Sequence, residues 1–178
     1  MNFEELIWLF TSNESSRGIV RLNIAEGAIL YKYCKKMHNG ILLEIGRKHG
    51  GSTVLMAAPL DDGHLYSIDI VMHKCVAEYT SSYSNKITFI TGNSKEIEWD
   101  TQIDLVFIDG DHSYIGVKND IEKFVPYVKK NGYLVLHDIV GKKSILQPLV
   151  DILIKEGWVE EYRVDSMLIL KKIIFEDN

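Results

Sequence analysis
Residues 41–53 read Ile41-Leu42-Leu43-Glu44-Ile45-Gly46-Arg47-Lys48-His49-Gly50-Gly51-Ser52-Thr53, and this stretch decides the fold. The apolar run is that of a strand buried on both faces. It ends in an acid and a glycine, and a Gly-Gly pair then leads through Ser-Thr into a helix-forming run, Val54 to Ala58. Strand, glycine turn and helix start together make a place where backbone N–H groups meet a small-molecule ligand. Glycine admits close approach and positive φ there. The turn lacks the second glycine of GxGxxG, and Arg47, Lys48 and His49 fill it. A carboxylate at Glu44 would repel a pyrophosphate and suits a ligand with a cationic end.

The remainder of the chain sets the context. The 178 residues are 46% hydrophobic and 25% charged, with a formal net charge of −5. This is enough for one globular domain with a real core, so residues 1–178 are read as a single domain. The acidic balance argues against a nucleic-acid partner. No apolar run reaches about 18 residues, so no membrane span is expected. The N-terminal residues, with Glu4 and Glu5, do not read as a signal peptide. Cys34 and Cys75 lack metal-ligand spacing and read as reduced thiols of a cytoplasmic protein.

Periodicity predicts short helices over 3–11 and 20–37, the second with Leu22, Ala25, Ile29 and Tyr33 as its apolar positions, joined by a loop at 12–17. From residue 41 strands and helices alternate. Strands are expected at 41–45, 64–68, 87–91, 104–108 and 132–136. Helices are expected at about 52–58, 73–83, 115–128 and 144–156, with Asn131-Gly132 as the stop after the third of these. Two closing strands, 158–164 and 167–173, are separated by Asp165-Ser166 alone, which forces an antiparallel hairpin. The expected architecture is α/β: a Rossmann-like, seven-stranded, mostly parallel sheet with helices on both faces and a C-terminal antiparallel hairpin. An ordinary NAD-binding fold would continue with a parallel strand instead.

Ligands of open α/β sheets bind beyond the carboxyl ends of the strands. The residues there are Glu44 and Gly46; Asp69; Gly92, Asn93 and Ser94; Asp109, Asp111 and His112; and His137 and Asp138. Asp69 ends the second strand, where a carboxylate can accept both hydroxyls of a ribose, although a turn acid fits as well. Asn93 and Ser94 fit either an adenine contact or a helix cap.

LEIGxxxGGST at 43–53 resembles motif I of class I S-adenosylmethionine-dependent methyltransferases, whose donor has a cationic amino-acid and sulfonium end. FIDGDHSYxGVxxDI from Phe107 to Ile121 resembles the motif after the fourth strand in a small bacterial subgroup. That group is related to macrolide-sugar O-methyltransferases and cephalosporin-hydroxylase-like proteins, and more distantly to the catechol type. With LYSID, TGNS and GYLVLHD the resemblance covers about 40–140. It implies N-terminal helices at 1–39, a cofactor-binding core at 40–140, and a closing helix and hairpin at 141–178. It also implies S-adenosylmethionine as cofactor, held by Glu44, Gly46, Gly50, Gly51, Ser52, Asp69, Asn93, Ser94 and Asp109.

In the metal-dependent relatives the first Asp of the strand-four motif is a metal ligand, here Asp109. Three residues on, His112 stands where those relatives place their base. Asp138 matches a further ligand, but Ile139 replaces the expected Asn. The resemblance therefore implies Asp109 and Asp138 as ligands of a divalent metal such as Mg2+, and His112 with Asp109 as the catalytic residues. An imidazole titrating near neutrality suits a general base. The implied reaction is O-methylation of a hydroxyl on a sugar or small metabolite, by a chain that could act as a homo-oligomer. An NAD(P)-linked oxidoreductase and a non-catalytic S-adenosylmethionine-binding protein stand as alternatives.

Overall fold
A computed structural model describes residues 1–11, 19–139 and 144–173; the loop expected at 12–17 lies outside them. Seven strands form one sheet: β1 (Ile41–Ile45), β2 (His64–Asp69), β3 (Ile87–Thr91), β4 (Ile103–Ile108), β5 (Val128–Leu136), β6 (Trp158–Val164) and β7 (Met167–Lys172). Their spatial order is β3-β2-β1-β4-β5-β7-β6. The first five run parallel, and β7 is antiparallel to both β5 and β6. Among the described residues the α-helices are α1 (Trp8–Thr11), α2 (Ile24–Lys36), α3 (Gly51–Ala57), α4 (Lys74–Thr80), α5 (Tyr114–Phe124) and α6 (Gln147–Lys155).

The period of two along each strand divides the core. Leu42, Leu65, Leu105 and Val135 face one apolar cluster, with Leu30 and Cys34 of α2 and Val54 and Leu55 of α3. Leu43, Val106, Leu134 and Leu170 face the other, with Val117 and Ile121 of α5 and Val150 of α6. Both faces of the sheet are therefore covered, as continuous apolar strands require. Because β1 lies between β2 and β4, the strand order reverses there, and the crevice opens above that switch point.

Three boundaries differ from expectation for identifiable reasons. α2 begins at Ile24, because Asn23 accepts a hydrogen bond from the Glu26 N–H and the Glu26 carboxylate accepts from the Asn23 N–H, a reciprocal cap. Its buried face is accordingly Leu30, Tyr31, Tyr33 and Cys34, while Ala25 is exposed. α5 ends at Phe124, and Val125–Tyr127 form a 3-10 turn around Pro126, since a proline has no N–H to bond the carbonyl four residues back. Asn131-Gly132 does not cap that helix. Asn131, at φ 63°, lies within β5, where the pairing with β4 shifts register between Ile103 and Leu105.

Candidate functional site
The glycine turn is held by its neighbours on every side. The Gly46 N–H bonds the Ile68 carbonyl, and the Asp109 N–H bonds the Ile45 carbonyl, each at 2.9 Å. Gly46 has φ +91°, and a Cβ there would lie 2.3 Å from the Asp109 carbonyl oxygen. Glycine is thus required by the passing end of β4 as well as by backbone geometry. Gly50 also has a positive φ, +86°. Gly51 is constrained from the other side, since its Cβ would lie 2.4 Å from the backbone of Val20. Gly46 and Gly51 line the cavities described below.

Glu44 is fully buried beneath the turn and lines neither cavity. It accepts hydrogen bonds from Ser52 Oγ (2.5 Å), Thr53 Oγ1 (2.6 Å) and Ser67 Oγ (2.6 Å). Burial pushes its carboxyl above the ordinary carboxylate range, and the three hydroxyls and the nearby Arg47 cation pull back. The Ser52 hydroxyl is committed to this cluster, although Ser52 itself lines the smaller cavity. Glu44 therefore anchors the turn from behind.

Arg47 was not singled out by its sequence context, yet it is 1% exposed. Its guanidinium donates to the carbonyls of Ser67 (2.6 Å) and Ile90 (3.0 Å) and to Thr91 Oγ1 (3.1 Å). It thereby ties the turn to the ends of β2 and β3. The Arg47 and Lys48 N–H groups donate to Asp69 Oδ2 at 3.0 and 2.8 Å, and the Val71 N–H donates to Oδ1 at 3.0 Å. The carboxylate is fixed in place with room for one further donor on Oδ1, and it lines the larger cavity.

That cavity, about 610 Å3, runs over the ends of β1 to β4. Besides Asp69, its lining includes Asn93, Ser94, Asp111 and Asp120. Asn93 accepts from the Lys95 N–H at 3.2 Å, and Ser94 Oγ donates to the buried Asp120 at 2.6 Å. Asn93 thus closes a turn and caps no helix, since none starts between β3 and β4. Burial raises the Asp120 carboxyl above its usual range.

A smaller cavity, about 180 Å3, adjoins the first and shares Gly46, Lys48, Asp109 and His112 with it. Its far wall is His137 and Asp138. His112 Nδ1 lies 2.9 Å from Asp138 Oδ2. His137 Nδ1 lies 3.0 Å from Asp109 Oδ1 and 3.4 Å from Asp138 Oδ1. On its other side His137 Nε2 is 3.4 Å from Glu26 Oε2 and 3.3 Å from Ser166 Oγ. Glu26 is held by the Ser166 N–H (3.0 Å) and hydroxyl (2.6 Å). Burial opposes a charge on His137, but the surrounding carboxylates, Asp109 foremost, push its pKa up to about 9.

Sequence reasoning did not reach Glu26 or Ser166. The expected helix begins at residue 20, without the Asn23–Glu26 cap, and only the packing of α2 beside the hairpin turn brings its acid to His137.

The residues expected to bind metal are brought together. One donor atom each from Asp109, His137 and Asp138 lies within 4.8 Å of the others. His137 Nδ1 is buried without a well-aligned hydrogen bond among the described residues, which suits a nitrogen donor. Ile139 is fully buried and apolar, so it supplies no ligand. Two carboxylates and an imidazole fit a divalent ion of borderline hardness.

Comparisons with known proteins agree with this geometry. A family model described as "Methyltransferase domain" matches residues 43–139, more than half of the chain. An uncharacterized protein, R132, of Acanthamoeba polyphaga mimivirus is 34% identical over 113 residues, 54% of this chain and 50% of that protein. The chain thus spans about half the length of this curated relative. Among solved structures, the O-methyltransferase NovP superposes with a TM-score of 0.74 at 14% identity, covering 97% of this chain and 89% of NovP. The N-methyltransferase NodS from Bradyrhizobium japonicum, in complex with S-adenosylhomocysteine, gives 0.66 at 15% identity, with 96% and 97% covered. The O-methyltransferase TomG from Streptomyces achromogenes, in complex with S-adenosylmethionine, gives 0.64 at 14% identity, with 85% and 81% covered. At these identities the likeness is one of fold.

Proposed function
The chain belongs to the methyltransferase-domain family, and from that premise we propose that it transfers the methyl group of S-adenosylmethionine to a hydroxyl of a small-molecule acceptor. The observation that carries this reading is the joining of the two cavities over Gly46, with Asp69 in one and the His112–Asp138 pair in the other. The adenosine lies in the larger cavity, its ribose against Asp69 and its base toward Asn93 and Ser94. The methionine end passes Gly46, so the sulfonium methyl reaches the smaller cavity beside His112.

Transfer is an in-line displacement. The acceptor oxygen attacks the methyl carbon, the carbon–sulfur bond breaks, and its electron pair stays on sulfur. Asp138 holds His112 Nδ1, leaving Nε2 to take the hydroxyl proton, and the carboxylate stabilises the imidazolium that forms. Asp109, His137 and Asp138 would hold a divalent ion, which when bound favours the anion of the acceptor hydroxyl. Much of the rate comes from positioning, and the hydrogen-bonded turn supplies rigidity for it. The antiparallel β7 and the family match count against the oxidoreductase alternative.

The test is calorimetry with S-adenosylhomocysteine, together with transfer of labelled methyl to a panel of hydroxylated metabolites. His112→Ala is expected to abolish turnover with S-adenosylhomocysteine affinity within a few-fold of the unmodified protein. Unchanged turnover removes His112 from the chemistry, and no binding of S-adenosylhomocysteine to the unmodified protein ends the methyltransferase reading.

A further inference from the structure
Three cations line the smaller cavity; Arg47 is spent on tying the turn to the sheet, and the other two have no part in the mechanism. Arg21 and Lys48 both line it, both are exposed, and neither has an ion-pair partner among the described residues. The two acids that share the cavity already have histidine partners, with His112 Nδ1 2.9 Å from Asp138 Oδ2 and His137 Nδ1 3.0 Å from Asp109 Oδ1. In a chain with a net charge of −5, two unmatched cations at one small opening form a local positive field. His49, just outside, registers it. Burial, the adjacent His73, and then Arg21 and Lys48 lower its pKa.

Both cations are delivered by built structure. The Ile19 and Val20 N–H groups bond the Leu9 carbonyl, and Val20 packs so tightly on Gly51 that no Cβ fits between them. Ile19, Val20 and Leu22 are buried, and Arg21 alone of the four is turned outward. Lys48 sits at φ 45° in the turn, a conformation that favours glycine or asparagine over a long side chain. Its own N–H fixes Asp69. A cationic side chain thus stands on a strained stretch of backbone.

We propose that Arg21 and Lys48 form a carboxylate-receiving pair at the mouth of the smaller cavity. This deepens, and rests on, the methyltransferase reading of the same site. Two ligands could bring that group: the donor, through the carboxylate of its amino-acid end, and an acceptor that is itself a hydroxy acid. A carboxylate beside the pair neutralises the excess positive charge while the acceptor hydroxyl faces His112.

The experiment has two arms, run on the unmodified protein, on Arg21→Met, Lys48→Met and the double variant, and on the charge-keeping Arg21→Lys and Lys48→Arg. In the first, calorimetry compares S-adenosylhomocysteine with its decarboxylated analogue and with 5′-methylthioadenosine, which lacks the amino-acid end. In the second, saturation-transfer NMR compares D-glucuronate with its methyl ester and with D-glucose. If the donor is the source, the unmodified protein prefers S-adenosylhomocysteine to the decarboxylated analogue. Each Met variant then loses about tenfold of that preference, the factor that ~1.4 kcal/mol corresponds to, and the charge-keeping variants recover it. If the acceptor is the source, S-adenosylhomocysteine binding is the same in all variants, and glucuronate is preferred to its ester only when the cations are present. No carboxylate preference in either arm, or a preference that survives the double Met variant, overturns the proposal. Failure of the unmodified protein to bind S-adenosylhomocysteine overturns the methyltransferase reading instead, and the glucuronate arm still reads the pair.

Discussion

Replacing Arg47 with methionine isolates the interaction that ties the turn to the sheet. The guanidinium makes three hydrogen bonds across the ends of β2 and β3 and is the cation nearest the fully buried Glu44. Methionine fills much of the volume but leaves two carbonyls without this donor and the carboxylate without its counter-charge. Removing one partner of a buried charged group costs ~3–5 kcal/mol, against a whole-domain stability of ~5–15 kcal/mol. For a chain of this length each kcal/mol is worth ~2–4 °C of melting temperature, so a fall of roughly 6–20 °C is expected. Urea unfolding at neutral pH should show a lower midpoint with unchanged slope. The variant should recover stability on mild acidification more than the unmodified protein does. A carboxyl whose folded pKa is raised destabilises when ionised, and the penalty is relieved as pH falls through that raised value. A loss below about 1 kcal/mol, or no differential recovery in acid, would refute the view that Arg47 compensates Glu44.

Three further outcomes follow from the same geometry. Asp69→Ala should weaken S-adenosylhomocysteine binding by about ten- to a hundredfold, the worth of ~1.5–3 kcal/mol for hydrogen bonds to a charged group. It should have far less effect on a 2′,3′-dideoxyribose analogue, and equal loss for both ligands would remove Asp69 from the ribose contact. In metal-free protein, the raised pKa of His137, about 9, means that its proton is held more tightly in the folded than in the unfolded state. Its stabilising contribution is full below pH ~6.5 and is lost as pH rises through about 9. Urea midpoints should decline over that window, and His137→Asn should flatten the decline. Mn2+ titration followed by electron paramagnetic resonance should report one bound ion that Asp109→Asn abolishes, and identical binding by that variant would place the ion elsewhere.

The sheet was legible because strands buried on both faces leave unbroken apolar runs and glycine turns punctuate them. The hairpin was legible because two residues cannot carry a parallel crossover. Register within β5 was not, since Asn131-Gly132 has the same composition whether it stops a helix or shifts a strand. At the site, residues just past the strand ends could be found from topology alone, and Asp69, Asp109, His112 and Asp138 all line the cavities. Glu44 stood in the same kind of position yet is turned beneath the turn, a difference of side-chain direction that residue type does not encode. Arg47 looked like turn filler because only the three-dimensional paths of β2 and β3 supply its acceptors. Glu26 and Ser166 are 140 residues apart and meet only through packing.

Ser166, in the turn of the closing hairpin, meets the site through Glu26 and His137 and through its carbonyl, which accepts from the Ile139 N–H. The segment matched by the family model stops at Ile139, so its boundary cuts across the chemistry: the back support of the imidazole comes from outside it on both flanks. Excising the matched piece for expression would retain every strand-end residue on the crevice and still leave that ring unbuttressed. Substitutions at the hairpin tip or at the start of α2 would therefore act on the same histidine while leaving the glycine turn untouched.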